Sequence, residues 1–175
     1  MSDHQLNEHV NGLIEILQAQ TADFKRLLEY IAQGEAAVRS ANVTRLLEIC
    51  QEERVIAGRL SELERHRMLT TKDITRQLMP GKSVDTPMRT ADICRHLPEQ
   101  LQPSLRNAAD RLRGLAEETG RRSAILRAAA TTLCRHMGGV IQAVNTSLAN
   151  GTTTYGRRGR IESPEVLHAV VDIRR

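Results

Sequence analysis

Residues 101–148 read LQPSLRNAADRLRGLAEETGRRSAILRAAATTLCRHMGGVIQAVNTSL, and their apolar side chains recur at alternating steps of four and three. Leu101, Leu105, Ala108, Leu112, Leu115, Leu126, Ala129, Leu133, Met137, Val140 and Val144 mark the series, with Thr119 and Arg122 as polar members. This spacing lays the side chains along one face of an α-helix in a coiled-coil-like stripe. Pro103 falls in the first turn, where its missing N–H is tolerated, and Asn150-Gly151 supply a left-handed cap. From residue 105 to 148 the helix runs about 65 Å at roughly 1.5 Å per residue, longer than a compact domain of this size needs. Gly138-Gly139 weaken helix propensity by roughly 1 kcal/mol per residue relative to Ala, which marks a bend or a segment ordered on binding.

Working back toward the N-terminus, Leu6, Val10, Leu13, Leu17, Phe24, Leu27 and Ile31 keep the same four-three alternation, broken only by Gln20. That predicts a first long helix at about 3–39. Ser40-Ala41-Asn42 interrupt it, and Asn42 is placed to N-cap a second helix at about 43–79, with Val43, Leu46, Cys50, Ala57, Leu60 and Leu63 as its apolar positions. Two long helices joined by a few residues read as an antiparallel hairpin. Pro80-Gly81-Lys82-Ser83 end the second helix, Pro87 keeps the connection open, and a short helix at about 90–97 is stopped by Pro98. This irregular stretch reads as a crossover linker to the third long helix at about 101–149.

Composition agrees. Only 2% of the 175 residues are aromatic (Phe24, Tyr30 and Tyr155), against 40% hydrophobic and 26% charged, so Leu, Ala and Arg stand where a sheet would use aromatic and β-branched side chains. The fold class predicted is all-α: an antiparallel hairpin plus a third long helix in a coiled-coil-like three-helix bundle. One bundle domain spans residues 1–150, and residues 151–175, polar and glycine-bearing, form a flexible C-terminal tail.

Charge is uneven. Residues 1–79 hold 10 basic and 12 acidic side chains, whereas residues 80–175 hold 15 and 9, so the formal +4 comes from the second half. A basic half can meet an acidic partner, a nucleic acid or an anionic surface. Three cysteines at wide spacing, Cys50, Cys94 and Cys134, argue for reduced thiols in a cytoplasmic protein. The N-terminus shows no signal peptide, and no window approaches the roughly 20 apolar residues of a membrane span.

The residues offer little to catalysis. Cys94/His96 and Cys134/His136 are good zinc ligands by type, but side chains two apart on a helix diverge by roughly 200°, so neither pair chelates a metal alone. No glycine lies in a phosphate-cradling loop. Glu52, Glu53, Glu62 and Glu64 lie among Arg54, Arg59 and Arg65 as surface pairings without the desolvation that a catalytic acid needs. The reading is a protein with no enzyme activity, no metal and no cofactor, which works by offering an apolar stripe to a partner's helix. Leu126, Leu133, Met137, Val140, Ile141, Val144 and Leu148 are the partner-binding candidates, because the third helix is longer than the hairpin that covers it.

Several motifs in order carry a family resemblance: Glu52-Glu53-Arg54, Leu60-Ser61-Glu62-Leu63-Glu64-Arg65, His96-Leu97-Pro98-Glu99, Leu112-Arg113-Gly114-Leu115-Ala116-Glu117-Glu118 and, after the last helix, Thr154-Tyr155-Gly156-Arg157-Arg158-Gly159. Over residues 6–160 the chain resembles the FlgN family of flagellar type III export chaperones, which keep the hook-filament junction proteins FlgK and FlgL soluble before secretion. The resemblance implies that the third helix binds C-terminal helical segments of FlgK and FlgL, and that Tyr155 helps dock the chaperone on the export gate protein FlhA. Two other readings stay open: a basic helical bundle that binds nucleic acid, disfavoured by the lack of aromatics beside its basic residues, and a structural coiled-coil subunit whose stripe is consumed by self-association.

Overall fold

A computed structural model describes residues 2–79 and 88–150, together with the backbone of residues 154–155 and 161–162. Among the described residues four helices follow in order: α1 Ser2–Arg39, α2 Val43–Leu78, α3 Thr90–His96 and α4 Gln102–Asn150. Two short strands, β1 Thr154–Tyr155 and β2 Ile161–Glu162, pair antiparallel with Thr154 opposite Glu162 and Tyr155 opposite Ile161. The fold is all-α, as composition and spacing predict; the ladder is regular structure that the tail's sequence did not announce. The rest of the tail and the Pro80–Pro87 stretch lie outside the described residues. The chain divides into two units, residues 1–130 and 131–175.

Within the first unit, α1 and α2 form the hairpin. Its corner closes on Ala41, whose φ of 50° is left-handed. The Asn42 N–H donates to the Ala37 carbonyl at 2.9 Å and the Ala41 N–H to Val38 at 3.1 Å, which terminates α1 in a Schellman arrangement. Asn42 then caps α2, its Oδ1 accepting from the Arg45 N–H at 2.9 Å.

Among the described residues two apolar clusters hold the first unit. In the larger one, Val10, Leu13 and Leu17 of α1 meet Ile74 of α2, Ile93 and Cys94 of α3, Leu97, and Leu105 of α4. The 90–97 stretch is thus more than a connection, since it contributes three of these core side chains. The smaller cluster gathers Ala37, Leu46 and Ile49, with Tyr30, Val38 and Ala130 against them. The interior holds polar side chains as well: Gln20, Thr21, Asp23, Thr71, Thr75 and Thr119 are all buried. The four threonines are tolerated because each hydroxyl donates to the carbonyl one turn back, at 2.6–2.7 Å.

One register differs from the sequence reading. Cys50 and Ala57 of α2 are exposed, and Ile49 and Ile56 are buried in their place. Half-buried Glu53 and Arg67 occupy core-facing steps of α2 and interrupt the apolar series that would have marked this face.

Candidate partner-binding surfaces

Past the larger cluster, α4 in the first unit meets α1 through an ion pair and an apolar contact. Arg122, a polar member of the four-three series, donates through Nε and Nη2 to Glu35 at 3.2 and 2.9 Å. These hydrogen bonds hold the Glu35 carboxyl below its usual pKa and push the Arg122 guanidinium up. One turn further on, Leu126 is buried over Gly34, where a Cβ would stand only 2.7 Å from its Cδ2. A side chain at residue 34 would displace Leu126, so glycine is what allows this close approach.

In the second unit α4 continues through Gly138 and Gly139 without interruption, and a Cβ at either glycine meets nothing within 4 Å among the described residues. Leu133 is half-buried. Met137, Val140, Ile141, Val144 and Leu148 are exposed, from 38% at Met137 to 67% at Leu148. Steps of three and four connect them, so they share one helix face about 16 Å long at roughly 1.5 Å per residue. Large apolar side chains contiguous on one face and left in water are the usual mark of an interaction surface. Of the seven candidate residues on α4, five therefore form one open stripe, Leu133 stands at its beginning, and Leu126 is spent on the α1 contact. Tyr155 contributes backbone to β1 opposite Ile161, and its side chain lies outside the described residues.

A second surface was missed in the sequence. Helices α1, α2 and α4 with the start of α3 enclose an open trough of about 700 Å³ in the first unit, floored by Leu17, Gln20 and Phe24. Its walls are Ala57, Leu60 and Glu64 on α2 and Ala109, Leu112 and Ala116 on α4. The available signal was Gln20, the single polar break in the α1 series.

Cys94 is buried in the larger cluster, which raises its thiol pKa, while His96 is exposed with Nδ1 2.8 Å from the Asp92 carbonyl oxygen. Cys134 and His136 are both exposed. Among the described residues no three His, Cys, Asp or Glu side chains converge as metal ligands would. Glu64 is held below its usual pKa by its hydrogen bonds with Arg67. Glu53 departs from the surface pairing expected of it: burial between Ile49 and Ile56 pushes its carboxyl up.

A family described as FlgN protein matches residues 1–163, which takes in the hairpin, α3, α4 and the short ladder. The chain belongs to the FlgN family. FlgN proteins are flagellar export chaperones, a family of binding proteins rather than of enzymes. No curated protein and no solved structure matches the chain. Among the described residues no helix is long and apolar enough to cross a membrane.

Proposed function

We propose that this FlgN-family protein is a cytoplasmic chaperone of flagellar type III secretion that binds the C-terminal helical segments of the junction proteins FlgK and FlgL, prevents their premature assembly and delivers them to the export gate. The observation that carries the reading is the open stripe of Met137, Val140, Ile141, Val144 and Leu148 in a chain of this family. An export substrate with an amphipathic helix self-associates unless that face is covered. A chaperone must cover it and later let go without chemistry. Helix-against-helix packing with apolar anchors at steps of three and four does this, and its affinity stays moderate because ordering both helices opposes burial.

In this reading Leu133 begins the contact and Leu126 fixes the helix to α1 rather than touching the substrate. Tyr155, a rigid aromatic in the tail, serves as the anchor on FlhA. Mixing the full chain with C-terminal fragments of FlgK and FlgL is expected to give a soluble complex in sedimentation or size-exclusion experiments. Absence of a complex with either fragment contradicts the reading. Self-association of the free chain at micromolar concentration, lost on disrupting the stripe, would favour the structural coiled-coil alternative.

A further inference from the structure

Gln20 is 4% exposed on the floor of the trough. Its Nε2 donates to Glu64 Oε2 at 3.3 Å, while its Oε1 is buried without a hydrogen-bond partner among the described residues. A leucine here would continue the α1 series and leave no unmet acceptor, so stability does not account for the residue. The amide torsion of a glutamine is soft, which lets the oxygen turn toward a donor arriving in the trough.

The trough's form bears on what fills it. Its floor advances from Leu17 to Phe24 and its α2 wall from Ala57 to Arg67, giving lengths of about 10 and 15 Å at roughly 1.5 Å per residue. A channel that long, walled by helices and open to solvent, accepts two turns of a helix with apolar side chains at i, i+3/i+4 and i+7. Arg89 and Arg113 stand on the lining. Arg89 is exposed and joins no ion pair among the described residues, and Arg113 reaches Asp110 only at 3.7 Å.

We propose that the trough is a second docking site, occupied by one amphipathic helix of the exported partner that carries a hydrogen-bond donor for Gln20 within its apolar face and carboxylates along the edge facing Arg89 and Arg113. Donor against acceptor and carboxylate against guanidinium give the register; apolar side chains against Leu60 and Leu112 fill the volume. This inference rests on the chaperone reading for the identity of the partner.

The test is titration calorimetry of the full chain with the C-terminal helical fragments of FlgK and FlgL. Ala57 is exposed, so Ala57→Trp fills the trough without disturbing the core. It is expected to weaken binding at least tenfold at unchanged Tm. Gln20→Leu is expected to raise Tm and weaken binding about tenfold, a pairing of signs that loss of folding cannot produce. Wild-type affinity in both variants overturns the second site even though the fragments bind. Binding lost with a lowered Tm in Gln20→Leu overturns the role given to Gln20, with Ala57→Trp still deciding the trough. Fragments that fail to bind the wild-type chain overturn the chaperone reading and this occupant together.

Discussion

Helix α4 presents one sequence pattern under two conditions. Near its start Leu105 is fully buried among side chains of α1, α2 and α3, whereas from Met137 to Leu148 the same four-three spacing lies in water. Periodicity makes a face apolar; only the neighbours decide whether it is core. The comparison separates residues that stabilise the fold from residues available to a partner, and mutations at matched positions should separate them further.

The largest contrast is between truncations. Leu105→Ala removes a fully buried side chain and is expected to cost about 2–4 kcal/mol, whereas Val144→Ala, at an exposed site, should change stability by less than about 0.5 kcal/mol. Chemical denaturation of both variants checks this, and similar losses would erase the distinction. Next is Gly34→Ala, which gains roughly 1 kcal/mol of helix propensity but collides with Leu126. Stability is expected to stay level or fall. In a Leu126→Ala background the same change should become stabilising by about 1 kcal/mol, a double-mutant cycle that measures the α1–α4 contact. Ala41→Gly relieves a left-handed alanine at the hairpin corner and is expected to add about 0.5–1 kcal/mol.

The smallest effects are electrostatic. Glu35 and Glu64 have folded pKa values below the ordinary 4.5, so they contribute stability above that value and lose it as pH falls through their folded pKa. Glu53, raised by burial, runs the other way: its contribution is present at low pH and is lost as pH rises through its folded pKa. Thermal melts against pH should therefore show a shallower acid limb in Glu35→Gln than in the wild type. Glu53→Gln should raise Tm at neutral pH. An acid limb unchanged by Glu35→Gln would remove the Arg122 pairing from the account.

Much of the fold is legible in single residues. Asn42 announces the second helix because a side-chain acceptor must meet the free N–H groups of its first turn, and Pro98 and Pro103 bracket the turn into α4. The α2 register was not legible, because Glu53 and Arg67 sit at core-facing steps and the exposed Cys50 and Ala57 made a competing series. Nor could residues 90–97 be recognised as core, since a helix of 7 residues is too short to show a period and Ile93, Cys94 and Leu97 gain their meaning from α1 and α4. At the candidate site the residue types were readable and their division was not: Leu126 and Val144 look alike until Gly34 is placed under one of them. The trough is non-local by construction, built from four segments, and only Gln20, the polar break in the α1 series, left a trace in the sequence.

The central claim, that residues 137–148 of α4 are an uncovered partner surface, is tested most directly by the affinity of a Val140→Asp/Val144→Asp variant for the C-terminal fragments of FlgK and FlgL, measured beside its Tm. Two carboxylates on an exposed face cost the free protein little but must be desolvated, unpaired, in an apolar helix–helix contact. The account predicts binding weakened at least a hundredfold with a Tm close to wild type; wild-type affinity, or a Tm lowered as far as in Leu105→Ala, would contradict it.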